Sequence, residues 1–291
     1  MPDVAQARKF YSDFGLDLKE QGNALHIHTH GHAHRWGSVI EGPKKKLQFI
    51  SFAAFEDDLP RFRERLDALR IPRIDPPPGV ESNGIWFQDP NGTPIEIRVA
   101  EKSSPNEKSS TENISCPPGI AGAPACSTKP FVRPRRMAHM LVFTKDIPAT
   151  IKFYGEALGL RLSDRSGDMI AFMHGIHGSD HHMIAFVKAE GPGLHHLSWD
   201  VPSINQIGLG AMQMADKGYV AGWGMGRHVL GSNYFHYVQD PWGSFSEYSC
   251  DIDYIPKTKA WEAGHHAPED SLSLWGPEPP DYFVMNAEAA S

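Results

Sequence analysis

The sequence has few cysteines, no long apolar run and no excess of positive charge. Its three cysteines, at positions 116, 126 and 250, form no CxxC pair and no disulfide framework, which is typical of a reduced, cytoplasmic setting. No apolar run approaches the ~20 residues that a membrane-spanning helix needs, and the amino terminus lacks the basic and apolar segments of a secretory signal. The formal net charge of −7 weighs against nucleic acid and anionic membrane surfaces as partners.

What the chain does contain is an internal repeat. The segment from Asp3 to Tyr11, followed by a Gly-Leu pair, recurs from Asp146 to Tyr154 and is again followed by Gly-Leu. In both copies an aspartate stands at the N-cap of a predicted helix, and the glycine stands where that helix ends. The repeat therefore predicts two halves of similar structure.

A second match comes late in each half. The motif Asp-Pro-x-Gly begins at Asp89 and again at Asp240, and it is typical of a tight turn between strands. A glutamate follows at the same distance in both copies, as Glu96 and Glu247. Residues 58–69 and 203–217 have helical periodicity, whereas other segments alternate like strands. We expect an α+β fold of mainly antiparallel sheets with helices outside.

These matches divide the chain into four parts. We predict an amino-terminal domain at 1–100, a linker rich in proline and serine at 101–134, a second domain at 135–250 and a tail at 251–291 that lies over the surface. Before the second repeat stands a full apolar strand, whereas only two residues precede the first. The first half is thus expected to lack its first strand, through an upstream start or a tolerated truncation.

Three residues of the second half are candidates for one metal site. His139, His196 and Glu247 each lie in a short apolar run with the character of a strand. Two imidazoles and one carboxylate on one side of an ion leave other positions open, which suits Fe(II) that must hold both a substrate and O₂. In the aligned first half Phe49 replaces His196 and only Glu96 remains, so the chemistry is expected in residues 135–250.

Each candidate also has a plainer interpretation. His139 alone is better explained as a hydrogen-bonded core histidine than as a metal ligand, and Glu247 needs a partner of some kind if it is buried. Strand alternation places His195 on the side opposite His196, where its role would be structural. Three further histidines, His174, His177 and His181, are expected to be solvated.

The resemblance to a known family resolves these alternatives. The carboxy-terminal half resembles the type I extradiol ring-cleaving dioxygenases of the vicinal oxygen chelate superfamily, which are two-domain proteins of paired βαβββ modules. Each domain of such a protein is an incompletely closed mixed β-sheet barrel with outer helices. The resemblance rests on motifs in matching order: Ala138-His139-Met140, Asp180-His181-His182-Met183, Leu194-His195-His196-Leu197, Gly226-Arg227-His228, Tyr234-Phe235-His236-Tyr237 and Glu247-Tyr248.

The resemblance implies a role for each site residue. His139, His196 and Glu247 would hold Fe(II), or Mn(II) in its place, and His182 would be the general acid and base. His228 and Tyr237 would contact a bound catechol, with Tyr237 donating a hydrogen bond to the substrate. Phe172 and Met173 are expected to form apolar walls around the ring. The expected partners are a catechol and O₂, and the expected assembly is a homo-oligomer.

Two other functions remain open from the sequence. One is a glyoxalase-like or epimerase-like metal enzyme of the same superfamily, and the other is a metal-free protein that sequesters a flat aromatic ligand. The sequence does not specify whether the catechol is monocyclic, biphenyl-like or carboxylated, although Arg227 could pair with a substrate carboxylate. The five histidines at alternate positions between His26 and His34 predict a solvated or subunit-contact strand face.

Overall fold

A computed structural model describes residues 1–112 and 115–289, so residues 113–114 of the linker and 290–291 of the tail lie outside the description. Four α-helices and eighteen strands make up the described chain, with short 3-10 turns between some of them. The helices are α1 (Val4–Asp13), α2 (Leu59–Ala68), α3 (Ile147–Leu158) and α4 (Ile204–Ala215). The strands of the first half are β1 (Asp17–Gln21), β2 (Ala24–His28), β3 (Gly37–Ile40), β4 (Ile50–Ala54), β5 (Ile85–Gln88) and β6 (Pro94–Val99).

The remaining strands belong to the second half and the tail. They are β7 (Arg136–Thr144), β8 (Arg161–Ser166), β9 (Ile170–His174), β10 (Ser179–Asp180), β11 (Ile184–Lys188), β12 (Gly193–Asp200), β13 (Gly222–His228), β14 (Tyr234–Gln239), β15 (Phe245–Cys250), β16 (Tyr254–Ile255), β17 (Gly264–His266) and β18 (Ser273–Trp275). None of the helices in the described part of the chain is long and apolar enough to cross a membrane.

The predicted helix caps and turns are confirmed. Asp3 accepts the backbone N–H of Gln6 at 2.8 Å, and Asp146 accepts that of Ala149 at 2.9 Å, so both repeats cap their first helix in the same way. Asp89 and Asp240 each accept two backbone N–H groups of the turn that follows them. These local hydrogen bonds explain why the same short motifs recur in both halves.

The two halves share most of their strand topology, although no strand of the described first half corresponds to β13. Eight strands of the second half and two of the tail form a mixed sheet in the order β17-β8-β9-β11-β7-β12-β15-β14-β13-β18, which curls without closing into a barrel. The first half contains the matching sheets β1-β2-β3 and β4-β6-β5. Ser51 pairs with Glu96 in β4 and β6, as Ser198 pairs with Glu247 in β12 and β15, so the sequence alignment of the repeats is confirmed.

The difference between the halves lies at the strand β7. In the second half β7 lies between β11 and β12 and joins two groups of strands into one sheet. In the first half the corresponding strands β3 and β4 belong to separate sheets, and Met1 forms backbone hydrogen bonds with Ile40 and Gly42 beside β3.

The hydrophobic cores combine residues of both halves. Phe10 of α1 and Phe14, which directly follows that helix, pack with Trp199 and Tyr248 of the second half, and the rings of Phe14 and Tyr248 stack at a centroid distance of 3.9 Å. The Tyr248 hydroxyl donates to the Phe14 carbonyl at 2.8 Å, so this buried phenol has its hydrogen-bond partner. The first half therefore supports the sheet that carries the candidate site.

The tail is an integral part of the large sheet. Its strand β17 pairs with β8 at one edge, and its strand β18 pairs with β13 at the other edge. The residues between β17 and β18 therefore cross the open side of the curled sheet. This segment of the tail covers the mouth of the half-closed barrel.

The histidine run of the first half also needs a correction. Strand β2 ends at His28, and Gly31 has a positive φ of 74°, so the five histidines do not share one strand face. His26 and His28 are buried and hydrogen-bonded to Ser38 and to the His34 carbonyl. Alternation predicted a longer strand because it contains no information about the turn.

Candidate metal centre

His139, His196 and Glu247 converge on the concave side of the large sheet. One potential ligand atom from each lies within 4.8 Å of the other two, and all three side chains are buried. Glu247 Oε2 is 3.2 Å from His139 Nε2 and 3.6 Å from His196 Nε2. The structure thus brings together residues that are far apart in the sequence.

The strand register explains this convergence. Ser198 of β12 pairs with His139 of β7 on one side and with Glu247 of β15 on the other, and Glu247 in turn pairs with Tyr237 of β14. Residues that are paired across neighbouring strands point to the same face. His196 lies two residues before Ser198 and therefore shares that face. One row across four strands builds most of the site.

The environment of His196 leaves its Nε2 free for an ion. His196 Nδ1 lies 2.8 Å from His195 Nδ1, and His195 Nε2 lies 2.7 Å from the carbonyl oxygen of Phe283. A carbonyl only accepts, so a neutral His195 carries its hydrogen on Nε2 and accepts at Nδ1. His196 must then donate from Nδ1, which leaves the lone pair of Nε2 for a metal.

Glu247 is oriented by a side chain that the sequence analysis did not single out. Asn233 donates from Nδ2 to Glu247 Oε1 at 3.1 Å and to the Ser249 hydroxyl at 2.9 Å. The carboxylate is fully buried, yet among the described residues Oε2 has no hydrogen-bond partner, and neither has His196 Nε2. Buried polar atoms without partners are costly, and two of them facing each other fit a cation between them.

Burial also favours the neutral, metal-binding form of the imidazoles. It lowers the pKa of His196 and of His182 well below the ordinary value, with further lowering by the neighbouring histidines. A neutral imidazole is the form that binds a metal ion. The donor set of two imidazoles and one carboxylate therefore fits Fe(II) or Mn(II).

The three predicted catalytic residues surround this cluster. The ring of His182 lies 4.0 Å from that of His139, measured between centroids. His228 Nδ1 lies 2.7 Å from the carbonyl oxygen of Leu272, and His228 Nε2 lies 2.9 Å from the Tyr237 hydroxyl. Because the carbonyl must accept from Nδ1, His228 accepts at Nε2, and the phenol hydrogen of Tyr237 points to His228.

This geometry bears on the predicted role of Tyr237. Because the Tyr237 hydroxyl donates its hydrogen bond to His228, its oxygen presents a lone pair to the cavity. Burial, followed by the charge of Glu247, raises the pKa of Tyr237 well above its usual range, so the phenol keeps its proton. Donation to a substrate, as the resemblance implies, requires that the hydroxyl hydrogen turn away from His228.

A cavity of about 110 Å³ lies beside the candidate ligands. Phe172 lines it, as do Leu272 and Phe283 of the tail. Met173 instead packs fully buried in the core below the sheet, because successive residues of a strand face opposite sides. This placement corrects the expectation that Met173 forms a wall of the pocket.

The described lining contains no lysine or arginine. Arg227, the candidate partner of a substrate carboxylate, is engaged elsewhere. Its guanidinium carbon lies 4.7 Å from the centroid of the Tyr234 ring, and its Nε donates to the Ser232 carbonyl at 3.0 Å. The cavity walls are therefore mainly apolar, with the polar groups concentrated at the metal ligands.

His195, which sequence reasoning assigned to structure, lines the cavity, and two histidines that were expected to be solvated are buried. A bulge in β12 skips His195 in its pairing with β7, so His195 lies beside His196 rather than opposite to it. His181 and His174 are buried, whereas His177 is half exposed, as expected, and contacts Asp58. The signal that could have indicated these neighbours was the repeated His-His dipeptide, which precedes β11 as His181-His182 and lies on β12 as His195-His196.

The first half shows what the site becomes without ligands. Glu96, the counterpart of Glu247, is buried and accepts hydrogen bonds from the hydroxyls of Ser51 and Ser82. Phe49, the counterpart of His196, packs its ring against Trp86. The carboxylate is thus satisfied by the protein itself, and this explains why one half alone has the character of a metal centre.

Comparison with known proteins agrees with the fold. A family model described as the Glyoxalase/Bleomycin resistance protein/Dioxygenase superfamily matches residues 1–97 and 136–248. Metapyrocatechase 2 of Cupriavidus necator is 47% identical over 289 residues, which cover 99% of this chain and 90% of that protein.

Two solved structures illustrate the shared architecture. The Mn(II)-bound glyoxalase from Novosphingobium aromaticivorans matches 98% of this chain and 91% of its own, with a TM-score of 0.75 at 23% identity. The 2,2',3-trihydroxybiphenyl 1,2-dioxygenase from Sphingomonas wittichii strain RW1 matches 95% of this chain and 94% of its own, with a TM-score of 0.72 at 22% identity. At such identities these likenesses show the fold alone.

Proposed function

The chain belongs to the Glyoxalase/Bleomycin resistance protein/Dioxygenase superfamily, and we propose that it is an Fe(II)-dependent extradiol dioxygenase that opens a catechol ring with O₂. The bond cleaved would be the one next to the two vicinal hydroxyls. The observation that carries the proposal is the buried cluster of His139, His196 and Glu247, with unpartnered ligand atoms beside a small apolar cavity. The similarity to a metapyrocatechase over nearly the whole chain supports the same reaction.

The chain's own residues would prepare the substrate. Fe(II), when bound, would supply a positive charge that lowers the pKa of the catechol hydroxyls, and open positions where the substrate and O₂ meet. His182, beside His139, would take a hydroxyl proton and later return it. Tyr237 and His228 would hold the polar edge of the ring, while Phe172 and Phe283 exclude water from its apolar edge.

The lining favours a single-ring catechol without a carboxylate. A buried carboxylate needs a cationic partner or several donors, and the described wall offers no lysine or arginine for that purpose. A cavity of about 110 Å³ is small compared with the usual range of ~300–1,000 Å³ for ligand sites. We therefore propose catechol and its small alkyl derivatives as substrates.

Oxygen uptake by metal-loaded protein tests the proposal. The chain is loaded with Fe(II) or, in parallel, with Mn(II) under anaerobic conditions and then mixed with catechol and air-saturated buffer. We expect stoichiometric consumption of O₂ and a yellow ring-opened product with one of the two metals. Catechols that bear a carboxylate should be poorer substrates than methyl-substituted catechols.

The repeat supplies a matched pair of variants. Glu247→Gln removes a ligand charge and should abolish tight metal binding, whereas Glu96→Gln makes the same change in the metal-free half. The Glu96→Gln protein should retain one metal ion per chain, measured by elemental analysis. Equal metal content in both variants would show that Glu247 is not a ligand.

The alternatives give different results in the same assays. A glyoxalase-like or epimerase-like enzyme would bind one metal ion yet consume no O₂ with any catechol. A sequestering protein would bind the aromatic ligand with no metal present. If iron-loaded protein consumes no O₂ with any catechol tested, the proposed reaction is wrong.

A further inference from the structure

His182 stands at the end of a hydrogen-bonded chain that leads out of the cavity, here named the histidine relay and defined as His182, His181 and Asp164. His182 Nδ1 lies 3.0 Å from His181 Nδ1, and His181 Nε2 lies 2.7 Å from Asp164 Oδ2. Both histidines are buried, and the side chain of Asp164 is 10% exposed. Neither His181 nor Asp164 lines the cavity, so both would act through His182.

The direction of each hydrogen bond in the relay follows from the charge state of Asp164. Burial alone would raise the pKa of Asp164, but hydrogen bonds from His181, His266 and the Gly264 backbone outweigh it and lower that pKa. Asp164 is therefore a carboxylate, which only accepts hydrogen bonds. A neutral His181 then carries its one hydrogen on Nε2, and its Nδ1 must accept from His182 Nδ1.

The consequence lies at the far nitrogen of His182. Because its Nδ1 donates to His181, the neutral His182 ring has no hydrogen on Nε2. That nitrogen is left with a lone pair, which is the form that a base requires. The opposite tautomer would present an N–H group and could not remove a proton from a bound hydroxyl.

We propose that Asp164 and His181 are positioning residues that hold His182 in the Nδ1–H tautomer, so that its Nε2 serves as the base for the substrate. This inference rests on the proposed function for the identity of the substrate proton. It does not depend on which metal ion is bound.

The relay also accounts for the fate of the proton. When His182 Nε2 takes a proton, its ring becomes an imidazolium whose Nδ1–H already points at His181 Nδ1. Transfer of that second hydrogen makes His181 the cation, directly beside the Asp164 carboxylate, and leaves a neutral His182 with a hydrogen on Nε2. When His181 returns that hydrogen to His182 Nδ1, His182 Nε2 can give its proton back to the substrate, and neither the number of protons nor the total charge changes.

The tail completes the carboxylate end. Gly264 N–H donates to Asp164 Oδ1 at 2.7 Å, and His266 Nε2 lies 2.9 Å from the same oxygen. A Cβ atom at Gly264 would lie 2.6 Å from Asp164 Oδ1, so a larger residue there would push the carboxylate or the His266 ring out of place. Trp261 donates to the Ser163 carbonyl at 2.8 Å and packs its ring near that of His181. Strand β17, which directly precedes the segment that covers the cavity mouth, thus also fixes the orientation of Asp164.

The substitution Asp164→Asn tests the polarity while keeping the shape. The backbone N–H of Gly264 can only donate, so the amide oxygen should face Gly264 and the amide NH₂ should face His181 Nε2. His181 would then accept at Nε2 and donate from Nδ1, which forces His182 to carry its hydrogen on Nε2. Since this tautomer is no base, we expect kcat to fall by ~10²–10⁴, the usual contribution of a general base.

A positioning role differs from a purely structural role in the properties that Asp164→Asn leaves unchanged. KM for catechol and the metal content should change less than about threefold, because neither His181 nor Asp164 touches the ligands or the cavity. The exposed Asp168, on the turn after the same strand, provides the control: Asp168→Asn should leave kcat, KM and metal content unchanged. Parallel losses of kcat, metal content and melting temperature in Asp164→Asn would refute a positioning role.

The tautomer itself is measurable without relying on any variant's activity. Nitrogen NMR of the metal-free, full-length chain with ¹⁵N-labelled histidine distinguishes Nδ1–H from Nε2–H rings, and the His182→Gln spectrum identifies the His182 signals. We expect Nδ1–H at His182 in the parent chain and Nε2–H in Asp164→Asn. Nε2–H at His182 in the parent chain would overturn the proposal, even if the enzyme consumes O₂ as proposed.

Discussion

The buried ion pair between Arg136 and Asp180 tests how the segment that carries His182 is held in place. Arg136 Nη1 lies 2.6 Å from Asp180 Oδ2, and the two side chains are 12% and 2% exposed. Arg136 begins the strand of His139, and Asp180 directly precedes the His181-His182 pair. The pair therefore ties the loop of His182 to the strand of a candidate metal ligand.

The substitution Arg136→Met removes the charge and keeps most of the apolar stem. It leaves Asp180 buried without its cation, and a buried pair broken in this way costs about 3–5 kcal/mol. Asp200, also near Arg136, still has Arg135 at 2.7 Å, so the main loss is at Asp180. We expect urea denaturation at neutral pH to show a loss of free energy of unfolding in this range.

The pH dependence has a definite sign. Burial raises the pKa of Asp180 in the native protein, although Arg136 opposes the shift. Without Arg136 this pKa should rise further, because the buried carboxylate loses the cation that favours its charged form. A carboxyl with a raised native pKa destabilises the fold above that pKa, and the penalty disappears as pH falls through it. The stability difference between Arg136→Met and the parent should therefore shrink at mildly acidic pH.

A matched control uses a surface pair of the same residue types. Arg73 Nη2 lies 2.9 Å from Asp67 Oδ1, but these side chains are 33% and 76% exposed. Arg73→Met should cost no more than about 1 kcal/mol, because exposed pairs are screened by water. If Arg136→Met costs no more than Arg73→Met, or if its cost does not change with pH, the reasoning about burial is wrong.

Three further predictions concern the site itself. His182→Ala should retain bound iron and slow turnover by ~10²–10⁴, measured as iron content and kcat, and full activity would show that the proton route is assigned to the wrong residue. Asn233→Ala should weaken metal binding by ~10–100-fold in a chelator competition, because Glu247 loses its orienting donor. Phe283→Ala retains the backbone carbonyl that accepts from His195, so the metal content should not change. The KM for catechol should rise, and the free energy of unfolding should fall by about 3–5 kcal/mol because a buried ring is lost. An unchanged KM would exclude a contact between the Phe283 ring and the substrate.

The sequence was sufficient wherever the signal was local or repeated. Asp3 and Asp146 predicted their helices because an N-cap acts on the next three residues. The repeated Asp-Pro-x-Gly turns aligned Glu96 with Glu247, and the register of both sheets confirms that alignment. Strand character and residue type also predicted His139 and His196 as partners of Glu247, which the structure brings together.

Only the tertiary structure decided the residues around these ligands. Alternation predicted that His195 faces away from His196, but a bulge in β12 turns it toward the Phe283 carbonyl. Nothing near His181 in the sequence indicates Asp164 or the tail, because those hydrogen bonds join strands that the chain order separates.

The physical reason is the range of the interactions. Caps, turns and strand alternation depend on neighbours a few residues away, so the sequence by itself determined the α+β repeats and which half holds the candidate ligands. Tautomers, burial and the cover of the cavity depend on atoms that meet only after the sheet curls and the tail pairs with both of its edges. Those features therefore had to be read from the folded protein.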